Sequence, residues 1–351
     1  VTYLDVLRAK TLERVQQDNL RVTRSNLELS RIRQTVGTAS AGEVARWESE
    51  IARSRQDVIR ANSQRNLAEI ALNRLLQQPV EEAFVTEETT LADASLVTSD
   101  PRFLPYLSDP LTFRHFRRFM TGEALASSPE IRQFDAAIAA QERVRRSASN
   151  AFWAPTISLQ GTLSNRLAEG GAGTEVSLSL PPGSPDISGA FPRADDTNWS
   201  VGLQFSYPLY TGGARSAARS QASAELSDLR TRRHATVERI EQRVRSALHN
   251  LGASFAAIGL SQSAATAARR NLDLVTDAYG RGVVSVTDLL DAQNAALVAD
   301  LGAANATYDF LIDLMQTERA AGNFDFFLTA EEREAYFERL EAFFAAIEEF
   351  R

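Results

Sequence analysis

The sequence predicts a mainly α-helical protein with a small β part, built from long antiparallel helical hairpins and carrying an internal duplication. Three observations support this fold class: a repeat at a fixed offset, heptad spacing in both copies of the repeat, and two segments of alternating polarity between the copies. The chain has 351 residues, of which 44% are hydrophobic and 24% charged. It is therefore long enough for more than one core, and its composition is not that of a disordered chain.

The repeat relates residues that lie 245 positions apart. Residues 26–29 (Asn-Leu-Glu-Leu) match residues 271–274 (Asn-Leu-Asp-Leu). Further matches follow at the same offset: Gly37 with Gly282, Ser40 with Ser285, Glu43 with Asp288, Val44 with Leu289 and Ala61 with Ala306. Each copy contains a helix-like run, a short turn with glycine and a second helix-like run. This self-similarity predicts a duplicated supersecondary unit.

Both copies show the 3.5-residue period of a coiled coil in their second run. The positions predicted to face inward in copy one are Val44, Trp47, Ile51, Ser54, Val58, Ala61, Arg65, Ala68, Leu72 and Leu75. Those in copy two are Leu289, Ala292, Ala296, Ala299, Ala303, Ala306 and Phe310. In the first run of copy one, Val15, Val22, Leu29 and Val36 recur every seven residues. Because the turns are short, each copy is predicted to be an antiparallel helical hairpin, with a plain structural coiled coil as the alternative.

Between the copies the polarity alternates with a period of two. Residues 157–163 and 199–207 place apolar side chains on one face and small or polar ones on the other. Each segment has roughly the ten-residue length of a tilted membrane strand, and aromatic residues lie near the ends: Trp153, Trp199, Tyr207 and Tyr210. A membrane-spanning hairpin is predicted, with an ordinary half-buried hairpin as the alternative. Two strands cannot close a barrel, so other chains would have to complete it.

The composition and the motifs disfavour several function classes. The 38 Lys+Arg and 45 Asp+Glu residues give a net charge of -7, and the sequence has no long basic run. This charge balance is not typical of a nucleic-acid-binding protein. The chain has no cysteine, and its three histidines (His115, His234 and His249) lie far apart without zinc-ligand spacing. No nucleotide-binding or nucleophile motif appears. We therefore expect neither an enzyme nor a protein with a cofactor.

Three stretches resemble the TolC-like outer membrane factors, the exit ducts of bacterial efflux pumps and type I secretion systems. Residues 199–214, with Tyr-Pro-Leu-Tyr-Thr-Gly-Gly at 207–213, resemble the strand-to-helix signature of that family. Residues 279–292 resemble its second periplasmic tip turn, and residues 36–43 resemble the first. The likeness extends over nearly all of residues 1–327.

The resemblance implies a homotrimer in the outer membrane of a Gram-negative bacterium, in contact with outer membrane lipid and with a long periplasmic extension. Each protomer would contribute four strands to a shared twelve-stranded β-barrel and two helical hairpins to a periplasmic α-barrel. A periplasmic adaptor (membrane fusion) protein would dock on the tip turns and link the duct to an inner-membrane pump. The implied function is a passive, gated channel for efflux or type I secretion. A soluble or peripheral periplasmic coiled-coil structural protein is the alternative.

The resemblance also divides the chain into segments. They are the first helical hairpin (1–76), an equatorial segment (77–128), a helix leading to the barrel (129–152), a β-hairpin with a long external loop (153–210), the second helical hairpin (211–321) and an equatorial tail (322–351). Copy one begins at the equivalent of residue 246. The part before it should resemble residues 129–245, which number 117, and be preceded by a signal peptide, so we expect either a truncated sequence or an incomplete gene product.

The resemblance implies acidic site residues near the second turn. Asp288 and Asp291 match acidic rings at the periplasmic entrance of the family. Three-fold repetition of each carboxylate in a narrow pore would concentrate negative charge and favour cations. An acidic pair that stabilises a helix N-terminus is the alternative.

The remaining implied site residues form a latch and two docking turns. Glu43 and Tyr279 match a hydrogen-bonded latch that holds the closed state. The basic partner of that latch is expected five residues after the tyrosine, where this chain has Val284, so Arg281 is the expected substitute. The residues expected to dock the adaptor are Val36, Gly37, Ser40, Gly282 and Ser285.

Overall fold

A computed structural model of the chain describes residues 1–82, 109–167, 197–322 and 329–348, together with Thr86, Pro105, Tyr106 and Gly183. The helices and strands treated below are α1 (Thr2–Thr35), α2 (Ala41–Leu76), α3 (Pro110–Ser127), α4 (Pro129–Asn150), β1 (Thr156–Asn165), β2 (Thr197–Ser206), α5 (Ala214–Gly280), α6 (Val286–Ala321) and α7 (Ala330–Glu348). Most of the predicted external loop, much of the predicted equatorial segment and parts of the tail lie outside the described residues. Within those residues, long helices, a small antiparallel sheet and a duplicated hairpin confirm the predicted fold class.

The 245-residue repeat is visible in the backbone. Helices α2 and α6 are both 36 residues long, and their first and last residues differ by that offset. The preceding turns correspond as well, since Gly37 has a φ of 79° and Gly282 a φ of 76°. Glycine adopts this left-handed conformation without strain, and it commonly ends a helix. In both turns, the N–H groups of the glycine and of the next residue bond to carbonyls of the last helical turn. The two copies are therefore hairpins closed by the same turn.

The chain divides into two compact units, Val1–Arg132 with His234–Arg351, and Gln133–Arg233. In the first unit, α1 packs on α2 and also on α6, so the hairpins of the two copies are neighbours. Side chains from both copies form the tip core, which we define as Leu20, Leu27, Trp47, Ile51, Tyr279, Val286 and Leu289. The apolar side chains near the turns of both copies are therefore buried in one shared core.

A polar seam, defined as Asn19, Thr23, Asn26, Ser54 and Gln293, lies between α1, α2 and α6. Gln293 Nε2 donates to Asn19 Oδ1 at 2.9 Å and to Thr23 Oγ1 at 2.6 Å. Asn26 Nδ2 donates to Gln293 Oε1 at 2.8 Å. Thr23, Asn26 and Gln293 are all buried. Buried polar groups of this kind set the register of packed helices, because a shift would leave them without partners.

A second core of the first unit forms where α3 and α7 pack on the helices of copy two. Phe116 and Phe119 of α3, Tyr336 of α7 and Leu248 of α5 are buried in it. The rings of Phe119 and Tyr336 meet edge to face, with 5.6 Å between their centroids. We call this group the aromatic core.

In the second unit, β1 and β2 form an antiparallel pair with Thr156 opposite Ser206. Helix α4 and the beginning of α5 are joined by ion pairs, including one of 2.6 Å between Arg233 Nε and Asp135 Oδ1. In the described part of the chain, no helix is both long enough and apolar enough to cross a membrane.

Candidate functional site

The hairpin turns of the two copies meet at Arg33, Glu43 and Tyr279, which we call the tip cluster. Arg33, in the last turn of α1, donates from Nη1 to the carbonyl oxygen of Tyr279 at 2.6 Å. Its Nη2 donates to the carbonyl oxygen of Thr38 at 3.3 Å. Carbonyls at the C-terminus of a helix attract cations because they carry the negative end of the helix dipole. One guanidinium therefore holds the end of α5 and the turn that follows α1.

Tyr279 is the centre of the tip cluster. Its side chain is 1% exposed, and its hydroxyl donates to Glu43 Oε2 at 3.0 Å. The Arg33 guanidinium carbon lies 4.1 Å from the centre of the Tyr279 ring, a cation–π geometry. The structure thus brings together Glu43 and Tyr279, the two residues predicted to pair. Because Glu43 and Arg33 belong to copy one and Tyr279 to copy two, these contacts join the copies within one chain.

Arg281, the predicted basic partner of this pair, does not take that place. It follows Tyr279 by two positions, and in helical geometry such side chains point to nearly opposite sides. Arg281 is exposed, and the hydrogen bonds and ion pairs of the described residues do not include its side chain. The basic side chain in contact with Tyr279 is Arg33 instead. Val284, where the resemblance places the base, is partly buried against the tip core.

Asp288 closes the N-terminus of α6. Its Oδ2 accepts hydrogen bonds from the Ser285 hydroxyl at 2.6 Å and from the Ser285 N–H at 2.8 Å. The Asp288 N–H donates to Ser285 Oγ at 3.3 Å, which completes a capping box. The hydrogen bonds from the Ser285 hydroxyl and then from its N–H lower the pKa of Asp288. The helix-terminal role considered as the alternative for Asp288 is therefore present in the structure.

Asp291 lies three residues beyond Asp288 on α6, and both carboxylates are exposed. Among the described residues, no group of histidine and acidic side chains is arranged to hold a metal ion. In the single chain, these two aspartates place exposed negative charge beside the second turn.

The residues predicted to dock a partner lie on the surface of the turns. All five are exposed: Val36, Gly37, Ser40, Gly282 and Ser285. Two apolar side chains that were not predicted, Ile32 and Val283, are also exposed in or beside the turns. The turns therefore present an exposed surface that is partly apolar.

The β-hairpin separates its side chains into two faces along its whole length. The cross-strand pairs on the apolar face are Ile157 with Phe205, Leu159 with Leu203, Gly161 with Val201 and Leu163 with Trp199. The pairs between them are polar or small: Ser158 with Gln204, Gln160 with Gly202, Thr162 with Ser200 and Ser164 with Asn198. Both faces are exposed in the single chain. A continuous apolar face of this length is typical of a strand surface in contact with lipid.

An aromatic side chain secures the helix-proximal end of the β-hairpin. Tyr207 donates from Oη to the carbonyl oxygen of Phe152 at 2.9 Å. The Arg215 guanidinium carbon lies 5.0 Å from the centre of the Tyr207 ring. Trp153 and Tyr210, near the same end, are both exposed. Exposed aromatic rings at strand ends are typical of the bilayer interface.

The chain is similar to known outer membrane proteins. Residues 120–323 match the outer membrane efflux protein family. The chain is 30% identical over 154 residues to the outer membrane protein TolC of Escherichia coli (strain K12), covering 43% of this chain and 31% of TolC. It is 25% identical over 313 residues to the outer membrane efflux protein BepC of Brucella suis biovar 1 (strain 1330), covering 88% of this chain and 59% of BepC. The chain thus spans about a third to three fifths of the length of these relatives.

Solved structures share the fold. The outer-membrane channel OprN superposes with a TM-score of 0.68 at 20% identity, covering 92% of this chain and 64% of OprN. The outer membrane protein VceC from Vibrio cholerae superposes with a TM-score of 0.66 at 16% identity, covering 92% of this chain and 68% of VceC. The family match covers more than half of the chain and confirms the resemblance to TolC-like outer membrane factors. The chain belongs to the outer membrane efflux protein family, a family of channel proteins rather than enzymes.

Proposed function

We propose that the protein forms a passive, gated duct in the outer membrane, through which an inner-membrane pump exports substrates for efflux or type I secretion. One observation carries this proposal. A β-hairpin with a continuous apolar face is joined to long helical hairpins in a chain of the outer membrane efflux protein family. The duct itself would supply no energy.

The dimensions of the β-hairpin support a transmembrane role. Ten residues at about 3.3 Å each extend about 33 Å, and a tilt of about 45° reduces the height to about 23 Å. This height is close to the apolar band of outer-membrane barrels. The apolar face would contact outer membrane lipid, and the polar face would line a wet lumen. Two strands cannot close a barrel, so we propose a homotrimer that shares one.

The helices would form a long periplasmic extension. At about 1.5 Å per residue, α2 and α6 are each about 54 Å long and α5 is about 100 Å long. We assign residues 1–76 and 211–321 to an α-barrel and residues 129–152 to the helix that leads to the β-hairpin of 153–210. The aromatic core of α3 and α7 supports the assignment of two segments to an equatorial girdle, 77–128 and 322–351.

The exposed turns would dock a periplasmic adaptor protein, which links the duct to the pump. Their glycines and serines leave the backbone accessible, and Ile32, Val36 and Val283 add apolar contact area. The tip cluster would hold the closed state. Separating the hairpins would break the Tyr279–Glu43 hydrogen bond and the contacts of Arg33. Docking of the adaptor would supply contacts that favour the separated arrangement.

Asp288 and Asp291 would form acidic rings at the periplasmic entrance. In a three-fold assembly each exposed carboxylate occurs three times around the pore, which attracts cations and can bind divalent ions. The bonds from Ser285 keep Asp288 ionised to a lower pH than an ordinary aspartate. The capping role of Asp288 is compatible with this one, since its side chain stays exposed.

Conductance in planar lipid bilayers tests the proposed duct. The wild-type protein should need detergent to stay in solution and should form cation-selective channels that divalent cations block. Replacing Asp288 and Asp291 with alanine should reduce both the selectivity and the block, whereas Asp228→Ala, which removes another exposed carboxylate, should change neither. A protein that stays soluble without detergent and forms no channels would favour a peripheral coiled-coil protein. Channels with unchanged selectivity in the double variant would contradict the entrance rings.

The latch is tested by comparing two arginines. Arg33→Leu removes the contacts to Tyr279 and Thr38 and should raise the fraction of time that single channels spend open. Arg281→Leu removes an equal charge from an exposed position outside the cluster and should leave gating unchanged. Tyr279→Phe, which removes only the hydroxyl that bonds to Glu43, should have an intermediate effect. Equal effects of the two arginine substitutions would show that the charge near the turns, and not the contacts of Arg33, controls opening.

A further inference from the structure

Positive charge is concentrated where the two helices of the second unit adjoin the β-hairpin. The last turns of α4 and the first turns of α5 contain the arginines Arg143, Arg145, Arg146, Arg215 and Arg219. Between Glu142 and Glu225, the described residues include no aspartate or glutamate. This end of the second unit therefore has an excess of basic side chains beside the strands.

Carboxylates of the second unit do not neutralise these arginines. Within the described ranges, no ion pair includes any of the five. The nearest acidic residues along the chain already have other partners. Glu142 Oε1 accepts from Arg230 Nη2 at 2.7 Å, and Glu225 accepts from Gln141 at 2.7 Å and from Gln221 at 2.9 Å. The positive charge beside the strands is therefore available to a ligand from outside the chain.

Three of the five arginines lie on one side of the α4–α5 pair. Arg146 follows Glu142 by one helical turn, and Arg219 precedes Arg230 by eleven residues, or about three turns. Because Glu142 and Arg230 bond to each other, these positions share one side of the pair. Arg215 lies four residues before Arg219 on the same face of α5. We call Arg146, Arg215 and Arg219 the basic cluster.

Arg146 and Arg219 also lie at nearly the same level of the pair. Helix α4 leads into the β-hairpin and α5 leads out of it, so the two helices run antiparallel. Gln141 Nε2 donates to the carbonyl oxygen of Ala222 at 3.3 Å, which sets these two positions side by side. At about 1.5 Å per residue, Arg146 is about 8 Å and Arg219 about 5 Å closer to the strands than this contact. Two guanidinium groups are therefore neighbours across the pair.

The basic cluster continues the apolar face of the β-hairpin. Tyr207 lies two residues after Phe205, so the strand period places its ring on the apolar face. The Arg215 guanidinium carbon is 5.0 Å from the centre of that ring. The exposed aromatic side chains of Trp153 and Tyr210 lie between the strands and the helices. Along this side of the unit, an apolar surface is thus followed by aromatic rings and then by arginines.

We propose that the basic cluster binds the anionic headgroups of phospholipids in the membrane leaflet that faces the periplasm. The inference rests on the proposed function, because it requires the apolar face to contact lipid and the helices to extend into the periplasm. It adds the chemical class of lipid and the residues that select it.

The position of the basic cluster suits a lipid headgroup. Arg146 is about 6 Å from the end of α4, and Arg219 about 8 Å from the beginning of α5. Attraction to an anionic membrane surface extends over a Debye length, about 8 Å at physiological ionic strength. A guanidinium also matches the geometry of a phosphate, to which it can donate two parallel hydrogen bonds. Each basic residue at such a surface strengthens binding by roughly fivefold.

Quenching of tryptophan fluorescence by brominated lipids tests the proposal. The chain has three tryptophans. Trp47 is fully buried, whereas Trp153, beside the basic cluster, is 73% exposed. Trp199 lies near the opposite end of the β-hairpin and is replaced by phenylalanine in every sample, so that Trp153 reports on lipid. The protein is reconstituted in phosphatidylcholine bilayers in which part of the lipid is brominated phosphatidylglycerol or, in parallel, brominated phosphatidylcholine.

The expected result is a preference for the anionic lipid that depends on the basic cluster. Phosphatidylglycerol should bind beside Trp153 at least about fivefold more strongly than phosphatidylcholine. The triple variant Arg146→Gln, Arg215→Gln, Arg219→Gln should bring this ratio close to one. Replacing the same three arginines with lysine should keep the preference, because the charge remains. No preference with the intact cluster, a preference unchanged by glutamine, or an equal loss with lysine would overturn the proposal.

A matched control removes the same charge elsewhere. Arg24→Gln, Arg53→Gln, Arg55→Gln changes three exposed arginines of α1 and α2 and should leave the ratio unchanged. An equal loss in this control would show that net charge, and not the basic cluster, selects the lipid. Arg219→Gln alone leaves the contact between Arg215 and Tyr207 in place and should lower the ratio in the same direction. Quenching by brominated phosphatidylcholine should be equal in all variants, which shows that the β-hairpin remains inserted.

These results separate the lipid contact from the proposed function. Ion conductance without a preference for phosphatidylglycerol would leave the duct standing and overturn the lipid site. A preference that depends on the basic cluster, in a protein that conducts no ions, would support the lipid site and contradict the duct. No quenching of Trp153 by either lipid would contradict the membrane-spanning β-hairpin and the lipid site together.

Discussion

The two copies of the helical hairpin place an acidic residue at the same position, three residues after the serine that caps the second helix, and use it differently. In copy two, Asp288 turns back to Ser285 and closes a capping box within its own turn. In copy one, Glu43 accepts a hydrogen bond from Tyr279, which belongs to the other copy. The acidic residue at this position thus stabilises its own turn in copy two, whereas in copy one it links the two hairpins.

The tyrosine explains why only one of the two acids forms a link. The position in copy one that corresponds to Tyr279 is Gln34, which is exposed. Asp288 therefore has no equivalent partner from the other copy within the chain, and its shorter side chain suits the local box. A duplicated hairpin can gain an inter-hairpin contact by changing a side chain at each of two positions, without any change in the backbone.

The copies also fill the tip core unequally, and this difference should have the largest measurable effect. Trp47 is fully buried, and its counterpart in copy two is Ala292. Trp47→Ala should lower the free energy of unfolding of the tip by about 3–5 kcal/mol, because it removes a large side chain and leaves a cavity. Ala292→Gly should cost only about 1 kcal/mol, mainly through helix propensity. Amide hydrogen exchange of α2 and α6 in detergent measures both changes. Similar costs at the two positions would contradict an asymmetric core.

Disrupting the polar seam should lower the free energy of unfolding by a smaller amount. The residue to change is Gln293 of copy two, because it bonds to three residues of copy one. Gln293→Ala removes three hydrogen bonds and leaves the Asn19 and Asn26 side chains without this partner, whereas the Thr23 hydroxyl keeps its bond to the Asn19 carbonyl oxygen. The expected cost is about 1–3 kcal/mol in the free energy of unfolding. Gln64→Ala removes an exposed glutamine of α2 and should stay within about 0.5 kcal/mol of the wild type. Chemical denaturation followed by circular dichroism compares the two variants. A Gln293→Ala protein as stable as Gln64→Ala would mean that the seam does not contribute to stability.

The hairpins and the β-strands could be predicted because each has a regular pattern. The 245-residue repeat and the glycine turns located both helix pairs, and the alternation located both strands to within a few residues. The predicted inward positions were wrong at Val22, Val36 and Leu75, which are 38%, 70% and 67% exposed. Helix α1 contacts both α2 and α6, so no single heptad stripe describes its buried side chains.

Polar contacts were the part of the molecule that the sequence could not predict. Thr23, Asn26 and Gln293 are buried although apolar periodicity excludes them from a core, and hydrogen bonds satisfy their polar groups. Arg33 was missed for a related reason. Its shorter hydrogen bond is to a backbone carbonyl 246 positions away, and a backbone partner leaves no pattern in the sequence. Tyr279 and Glu43 could be paired in advance only through the family resemblance.

The acidic residue of copy two should give the smallest effect, visible only as a pH dependence. The bonds from Ser285 hold the pKa of Asp288 below its unfolded value, so they stabilise the folded state fully above the unfolded pKa of about 4. This contribution is lost as the pH falls through the lower, folded-state pKa. The stability difference between wild type and Asp288→Asn should therefore be present at pH 7 and should vanish progressively below about pH 4. Thermal unfolding in detergent at a series of pH values measures it.

Ser285→Ala separates this capping effect from the other charges of the chain. The substitution removes the hydroxyl, which is the larger cause of the lowered pKa, and should therefore weaken the pH dependence while leaving the Asp288 charge in place. Ser40→Ala in copy one removes the corresponding hydroxyl, which accepts only from the Glu43 N–H and makes no bond to a carboxylate. It should therefore leave the pH dependence unchanged. Equal changes in both variants would mean that the acid of copy two is no more closely tied to its own turn than the acid of copy one.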